Sequence, residues 1–144
     1  VFSLIPALKN IDIVRYGVMH RNTFINAPLA INSDLRLKKH PNVFVAGQLC
    51  GVEGYVESIA TGLLAAVNAL KLLRGEDTAV PPPDTVLGAL CAYITAPNKN
   101  FQPMNANFGI LPPLDGVKKD ERKRAYYERS AHSISEWANA EIYG

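Results

Sequence analysis

The clearest structural pattern of the chain lies between Val43 and Gly75, where the sequence reads V-F-V-A-G-Q-L-C-G-V-E-G-Y-V-E-S-I-A-T-G-L-L-A-A-V-N-A-L-K-L-L-R-G. Its first four residues, up to Ala46, are apolar, which predicts a short strand buried on both faces of a parallel sheet. Three glycines follow within eight residues, and a helical period begins at Tyr55. The stretch therefore predicts an α/β arrangement of a strand, a glycine loop and a long helix.

The helix predicted after Tyr55 is amphipathic, because apolar residues recur at steps of three and four. Acidic Glu53 and Glu57 lie near its first turn and basic Lys71 lies in its last turn, as the helix dipole favours. Gly75 suits the left-handed position that ends many helices. The positions that set the period are Val56, Ile59, Ala60, Leu63, Leu64, Val67 and Leu70.

A strand that leads into a glycine loop and a helix N-terminus can bind a polar or anionic group. The first backbone N–H groups of a helix have no partner within the helix, and they point at one region of space. The glycine spacing matches neither the dinucleotide fingerprint nor the phosphate loop, so an ordinary strand-to-helix turn fits the pattern equally well. The residues themselves leave both interpretations open.

Length and composition predict one ordinary globular domain. The chain has 144 residues and a mass of 15.7 kDa, and it is 48% hydrophobic and 19% charged, which is not typical of disorder. The formal net charge of +2 and the pI of about 8.6 are too mild to identify a nucleic-acid-binding protein. No apolar run approaches the length of a membrane span, so no membrane partner is expected.

The first residues indicate whether the chain is part of a longer polypeptide, and the cysteines indicate the redox state of its cellular compartment. The chain starts at Val1 without an initiator methionine or a leader pattern, so we expect it to be a piece of a longer polypeptide. Cys50 and Cys91 have no metal-binding or redox spacing. Two isolated thiols are typical of a reducing compartment, which predicts a cytoplasmic protein without a metal site.

A cluster of polar side chains overlaps and follows a second predicted strand, Ile11 to Val18. Arg15, His20, Arg21 and Asn22 bring two guanidinium groups, an imidazole and an amide into eight residues. Buried polar groups need partners, and a ligand is one way to supply them, so the cluster indicates a binding site. The alternative is that the arginines pair with acids and that His20 is a hydrogen-bonded structural residue.

The rest of the chain predicts two further helices and a long loop. Three prolines at 81–83 form a stiff spacer, after which Asp84 or Thr85 caps a short packing helix that ends near Ile94. Residues 96–115 contain four prolines and four asparagines, which predicts an irregular segment that covers a flat ligand or wraps a neighbouring domain. A last helix is predicted from Lys118 to about Ile142.

The start of the last predicted helix is basic. Residues 118–129 contain six Lys or Arg against three Asp or Glu, with two tyrosines among them. Lys118, Arg122 and Arg124 are therefore candidates for contact with an RNA phosphate backbone. A charged helix face that only keeps the protein in solution explains the same pattern.

Three motifs of the chain resemble the bacterial folate- and FAD-dependent tRNA (uracil-5-)-methyltransferases, the TrmFO (Gid) family, which is related to the MnmG (GidA) family. They are R-Y-G-V-M-H-R-N-T-F-I-N at 15–26, V-F-V-A-G-Q-L-C-G-V-E-G-Y-V-E-S-I-A-T-G-L-L-A-A-V-N-A at 43–69 and F-Q-P-M-N-A-N-F-G-I-L-P-P-L at 101–114. The motifs occur in the family's order and cover nearly the whole chain. The sequence V-E-G-Y at 52–55 resembles the TrmFO family more than the MnmG family.

The resemblance implies an enzyme that takes a one-carbon unit from methylenetetrahydrofolate, reduces it through FAD with NADH or NADPH, and places a methyl group on C5 of a uridine in the tRNA T-loop. It implies that residues 1–30 end an inserted domain on the substrate and tRNA side. Residues 31–144 would be the C-terminal part of a Rossmann-like FAD-binding domain with a C-terminal helical segment. The implied partners are tRNA, folate and the remaining N-terminal part of the parent chain.

By the same resemblance, one set of residues lines the flavin and a second set lies on the folate and tRNA side. The family's catalytic cysteines and dinucleotide fingerprint are absent from these residues, so no catalytic residue is assigned and the isolated chain is expected to be inactive. The flavin set is Gly47, Gln48, Gly51, Val52, Glu53, Gly54 and Tyr55. The substrate set is Arg15, His20, Arg21 and Asn22.

Two other functions remain open for this sequence. One is another flavin-dependent tRNA-modifying enzyme, of the MnmG (GidA) type. The other is a non-enzymatic RNA-binding module built on the basic start of the last helix. A surface that faces the flavin in the parent is partly apolar, so an isolated chain is also a candidate for pairing with a second copy of itself.

Overall fold

A computed structural model describes residues 2–14, 17 and 22–143 of the chain. Four α-helices account for most of the regular structure in these residues, and short 3-10 turns lie between them. The helices are α1, Ala27–Ala30; α2, Tyr55–Leu73; α3, Val86–Thr95; and α4, Arg122–Glu141. The 3-10 turns are Phe2–Leu4, Pro6–Leu8, Gly47–Cys50 and Phe108–Ile110.

The three long helices confirm the sequence predictions in position and mostly in extent. α2 begins at Tyr55 and is followed by Gly75 in the predicted left-handed conformation, with φ of +73°. Thr85 caps α3, since its hydroxyl accepts a hydrogen bond from the Gly88 N–H at 3.0 Å. The predicted start of α4 at Lys118 was too early, because residues 119–121 form a turn and the helix begins at Arg122.

The two predicted strands are not strands in the described part of the chain. Residues 43–46 pair only through one isolated bridge, between Arg36 and Phe44. Residues 11–14 have no regular structure, and the end of that predicted strand lies outside the described residues. A strand needs a neighbour to supply its hydrogen bonds, and the described residues give residues 43–46 only that single bridge. The helical part of the α/β prediction is confirmed, and its sheet remains a prediction.

One apolar core connects α1, α2, α3 and residues 47–54, which we call the glycine loop. Cys50 and Val52 of the glycine loop are fully buried in it. The core also receives Phe101 from the long segment after α3, so this segment is held against the start of α2. The buried members are Ala27, Ile31, Leu35, Val45, Cys50, Val52, Leu64, Leu90, Cys91, Ile94 and Phe101.

The buried amide of Asn68 in α2 ties together the segments on either side of the helix. Its Nδ2 donates to the carbonyl oxygens of Asp34 at 3.1 Å and Ala79 at 2.9 Å, and its Oδ1 accepts the Ala79 N–H at 2.8 Å. The Asp34 carboxylate in turn accepts a hydrogen bond from Thr78 Oγ1 at 2.7 Å and pairs with Arg36. One side chain therefore holds the chain before α2 to the chain after it.

Contacts in its N-terminal half attach α4 to the long segment. The Tyr126 ring stacks on Phe108 with centroids 5.5 Å apart, and the Arg129 guanidinium lies 5.2 Å from the centre of the Tyr126 ring. Arg129 also donates to the carbonyl oxygen of Pro112 at 2.8 Å. Arg129 therefore serves packing, although it belongs to the basic segment predicted from the sequence.

One face of α2 is apolar and exposed, and we call it the exposed α2 face. It consists of Val56, Ile59, Leu63, Leu70 and Leu73, between 48% and 85% exposed. By length and composition alone, α2 is the one helix of the described residues that is able to cross a membrane, which corrects the expectation that no apolar run reaches that length. On its other side, Thr61 and Asn68 are buried and hydrogen-bonded within the chain's own fold.

Candidate functional site

An open cavity of about 500 Å³ lies at the N-terminal end of α2. The glycine loop, α2, the segment before α1 and the segment after α3 all contribute to its wall. The lining residues are Asn22, Gln48, Glu53, Gly54, Tyr55, Ser58 and Asn105. The structure thus brings four residues of the predicted flavin set together with one residue of the predicted substrate set.

Hydrogen bonds to α2 fix the start of the glycine loop. The Gly47 N–H donates to the buried Thr61 hydroxyl at 3.0 Å, and that hydroxyl donates to the Glu57 carbonyl oxygen at 2.9 Å. The Cys50 thiol donates to the Gly47 carbonyl oxygen at 3.1 Å. The loop is therefore anchored to the helix whose N-terminus it precedes, so the cavity is largely preformed.

The segment after α3 closes the other side of the loop. The Glu53 N–H donates to the Met104 carbonyl oxygen at 2.9 Å, and the Met104 N–H donates to the Gly51 carbonyl oxygen at 3.0 Å. The Glu57 carboxylate accepts a hydrogen bond from the Ala106 N–H at 3.1 Å. These three contacts position Asn105 at the rim of the cavity, between Met104 and Ala106.

The N-terminus of α2 faces the cavity without a side-chain cap. Its N-cap residue is Gly54, with φ of +96° and ψ of 144°, a conformation that favours glycine. The acidic Glu57 of the first turn is engaged with the Ala106 N–H, so it does not cap the helix. The first backbone N–H groups of α2 are therefore able to donate to a ligand acceptor, and the carboxylates of Glu57, beside Gly54, and Glu53, in the cavity wall, oppose a full negative charge there.

Gln48 provides a donor that lacks a partner. Its Nε2 is buried and has no hydrogen-bond partner among the described residues, while its Oε1 accepts from Asn22 Nδ2 at 3.3 Å. Buried polar groups are nearly always paired, so this unpaired donor behind the cavity wall is unusual. The open side of the cavity presents the helix N-terminus, and the Gln48 amide lies next to it.

The remaining predicted site residues do not line this cavity. Gly47, Gly51 and Val52 are buried behind it, where they support the loop. Arg15, His20 and Arg21 lie outside the described residues, and their roles stay predictions. Lys118, Arg122 and Arg124 are exposed just before α4 and in its first turn. Arg124 pairs with Glu128 at 2.7 Å, which raises the pKa of its guanidinium.

Ser58 and Asn105 line the cavity and are not among the site residues predicted from the sequence. Ser58 lies one turn into α2, and its N–H donates to the Gly54 carbonyl oxygen at 3.0 Å. The helix period was sufficient to predict this position, because residues three and four positions after the start of a helix lie on the same face as its first turn. Asn105 was detectable only as one of several amides in a segment expected to cover a ligand.

The two cysteine thiols are buried and are expected to be unreactive at neutral pH. Burial raises the pKa of Cys50 from 9.0 to about 11, and burial together with the nearby Cys50 raises the pKa of Cys91 from 9.0 to about 12. Both thiols therefore stay protonated in the folded protein, and Cys50 is not suited to act as a nucleophile at pH 7.

We predict that iodoacetamide at pH 8 labels neither cysteine until the protein unfolds, as measured by mass spectrometry of the peptides that contain Cys50 and Cys91. The same reaction in denaturant is the control and should label both. Because the folded pKa values are raised, stability from the protonated thiols is present below about pH 9 and is lost between about pH 9 and 12. Rapid labelling of the native protein would contradict the burial.

Comparisons with known proteins give one family and a group of close relatives. A family model described as "Glucose inhibited division protein A" matches residues 1–77. A methylenetetrahydrofolate–tRNA-(uracil-5-)-methyltransferase TrmFO of Geobacter sulfurreducens is 55% identical over 139 residues, which is 95% of this chain and 32% of the relative. The protein of the same name from Bacillus mycoides is 54% identical over 142 residues, or 96% and 33%. The chain spans about a third of the length of these curated relatives.

Proposed function

Because the chain belongs to the family of glucose inhibited division protein A, we propose that it is the C-terminal portion of an FAD-dependent tRNA methyltransferase of the TrmFO type. The parent enzyme forms 5-methyluridine in the tRNA T-loop, with methylenetetrahydrofolate as carbon donor and NADH or NADPH as reductant. The observation that carries the proposal is the identity of 54–55% to TrmFO proteins over nearly the whole chain. The cytoplasm is the proposed location, since tRNA modification occurs there.

We propose the cavity at the start of α2 as part of the flavin site, because its groups suit the electron-rich pyrimidine edge of the ring. The uncapped N–H groups of α2 and the buried Gln48 Nε2 are donors without partners among the described residues. Gly54 itself adds no side chain to the cavity wall, and the Glu57 carboxylate lies against it, so the ring edge would approach the α2 N–H groups beside that carboxylate. FAD bound there would supply the hydride chemistry that reduces the one-carbon unit.

In this proposal, the rest of the parent chain supplies the strand partners and the apolar cover that these residues do not provide for themselves. Residues 31–144 form the C-terminal part of a Rossmann-like FAD-binding domain, and residues 1–30 end an inserted domain. Strands of the remaining N-terminal part pair with residues 43–46. Apolar residues of the same N-terminal part cover the exposed α2 face, so this face contacts protein and not a membrane. When the portion is isolated, the same face is available for association with a second copy.

The predicted substrate residues keep their proposed roles on the folate and tRNA side. Arg15, His20 and Arg21 provide cationic and stacking partners for the pterin and glutamate of folate, and Asn22 orients Gln48 through the hydrogen bond between their amides. Lys118, Arg122 and Arg124 contact tRNA phosphates from the exposed start of α4. None of these roles requires a catalytic residue within the chain.

An experiment on the full-length parent separates the two sets of residues. We predict that His20→Ala and Arg21→Ala each lower methyl transfer to tRNA by about tenfold or more, the effect of losing about 1.4 kcal/mol of transition-state stabilisation. The visible absorbance of bound FAD should be unchanged, because these residues are assigned to the substrate side. His132→Ala and Arg74→Ala are matched controls, since both residues are exposed and lie outside the cavity. Full activity in both test variants would remove these residues from the site.

A second candidate function follows from the family model itself, whose description covers division protein A and matches more than half of the chain. It is modification of the wobble uridine by a flavin enzyme of the MnmG (GidA) type. The position of the modified uridine in tRNA distinguishes the two, since one lies in the T-loop and the other in the anticodon.

A further inference from the structure

A second concave surface begins beside the candidate site. Three adjacent hollows of about 490, 460 and 450 Å³ lie along it. The first and second share Asn26 and Lys99, and the second and third share Asn26 and Leu29, so the hollows form one continuous surface. We call it the Asn26 groove and define it by Phe24, Asn26, Leu29, Lys39, His40 and Lys99.

The charge of the Asn26 groove has a single sign. Lys39, His40 and Lys99 line it, and none of the residues that line the three hollows is acidic. All three basic side chains are exposed. The buried Asp34, the acid nearest in sequence to Lys39, is engaged with Arg36 and Thr78 and does not line the groove. A surface of this kind attracts an anionic ligand.

Hydrogen bonds hold both basic edges of the groove in place. Lys38 Nζ donates to the Pro28 carbonyl oxygen at 2.7 Å, which fixes the turn that presents Lys39. On the other edge, the Asn100 N–H donates to the Asn98 side chain at 2.9 Å and thereby positions Lys99 between them. The charges are therefore supported by the fold and do not belong to a free tail.

The groove also offers a ring and amides between its charges. Phe24 is 37% exposed and packs edge to face on the buried Phe101, with centroids 6.0 Å apart and planes at 73°. Asn26 and Asn100 add exposed amide groups beside it. Single-stranded RNA is bound by this combination, in which bases stack on aromatic rings, amides contact base edges and cations contact phosphates.

The chain connects the groove directly to the candidate site. Asn22 lines the cavity at the start of α2, and Phe24, two residues later, lines the first hollow of the groove. The Ile25 N–H donates to the Leu49 carbonyl oxygen at 2.9 Å, so this segment is fixed against the glycine loop. The cavity and the groove are therefore lined by residues two positions apart on one fixed segment of the chain.

We propose that the Asn26 groove binds the single-stranded nucleotides that flank the modified uridine in the tRNA substrate. The inference rests on the proposed function and adds a contact surface to it, separate from the start of α4. A folate glutamate tail is the competing anion. The spread of cations, a ring and amides over three hollows favours a ligand with repeated phosphates and bases over one with carboxylates at a single end.

The test uses the full-length parent and an unmodified tRNA transcript, with the dissociation constant measured at several salt concentrations. The Lys39→Gln/Lys99→Gln double variant should bind about tenfold more weakly, and the slope of log affinity against log salt should shrink by about 0.7 for each phosphate that the variant leaves unneutralised. Phe24→Leu should weaken binding without changing that slope, because it removes stacking and no charge. Arg74→Gln is the control, since it removes a positive charge from an exposed residue that lines none of the three hollows and lies at the C-terminal end of α2.

Each outcome bears on the proposal. Absorbance of bound FAD and the unfolding temperature show whether each variant is folded. Suppose that the wild-type parent methylates tRNA and that the folded double variant binds tRNA with the wild-type affinity and the wild-type salt slope. That result would overturn the proposal that the groove binds tRNA and would leave the proposed function standing. A raised KM for polyglutamylated methylenetetrahydrofolate with unchanged tRNA binding would overturn it in favour of the glutamate tail. A wild-type parent that neither binds nor methylates tRNA would overturn the proposed function and the groove with it.

Discussion

The Gly54→Ala variant of the full-length parent is expected to lose most of its bound FAD and, as a result, its methyl transfer. Gly54 has φ of +96° and ψ of 144°, where a residue with a side chain is strained by about 1–3 kcal/mol. A Cβ there would also lie 2.6 Å from Cδ of Glu57, whose carboxylate holds the Ala106 N–H. The Glu57 carboxylate ends a flexible side chain and can rotate away at the loss of its bond to the Ala106 N–H, whereas the backbone strain is relieved only by a shift of the start of α2, where the proposed flavin donors lie.

If the site moves to relieve the strain, FAD binding must restore the strained geometry. We therefore expect FAD affinity to fall about tenfold for each 1.4 kcal/mol of that strain. It is measured as the visible absorbance that remains after gel filtration, per mole of protein. Gly75→Ala is a matched control, because Gly75 also has a left-handed backbone, with φ of +73°, but lies after α2 at its far end. Equal flavin content in the Gly54 variant and the Gly75 control would refute the assignment of the site.

The Asn68→Leu variant is expected to have the largest effect on stability, about 3–5 kcal/mol lower free energy of unfolding. Asn68 is fully buried and pairs with three backbone groups, at Asp34 and Ala79. Leucine has a similar volume but no polar atoms, so all three groups lose their partner. Each unpaired buried group costs about 1–3 kcal/mol, and some of this loss is recovered by relaxation.

Denaturant unfolding monitored by circular dichroism measures this loss. Asn139→Leu is the matched control, because Asn139 is exposed on α4, and a surface substitution is expected to change stability by less than about 0.5 kcal/mol. If the two variants unfold at the same denaturant concentration, the amide of Asn68 does not hold the segments together as described.

The sequence predicted the three long helices well because their signals are local, and it did not predict the four-residue α1. α2 and α3 have their own apolar periods, and Gly75 and Thr85 mark their boundaries through local backbone chemistry. The start of α4 was misjudged at Lys118, because charged residues favour a helix and a solvent-exposed turn equally well. Helix position was therefore readable from neighbours in sequence.

The sheet and part of the site were not readable in the same way, because they depend on distant partners. An apolar run such as residues 43–46 becomes a strand only beside another strand, and the described residues supply one bridge. The role of Asn68 was not predicted from the sequence, because its partners Asp34 and Ala79 are brought to it only by the fold. Likewise, Asn105 reaches the cavity through backbone contacts of its neighbours.

The exposed α2 face illustrates why length and hydropathy alone mislead. Thr61 and Asn68 of α2 are both fully buried against the chain's own core, and their hydrogen bonds fix which side of the helix faces it. The apolar side is then left for another surface, which we assign to the remaining part of the parent. Substitutions in the exposed α2 face should therefore weaken its packing against the rest of the parent more than they disturb the fold of residues 22–143.

The most direct test of the central claim follows the one-carbon unit into tRNA. The full-length parent is incubated with NADH or NADPH, an unmodified tRNA transcript and methylenetetrahydrofolate labelled with ¹³C at its methylene carbon, and the nucleosides are analysed by mass spectrometry. We predict labelled 5-methyluridine at one position in the T-loop. Unlabelled tRNA, or label only at the wobble uridine, would contradict it.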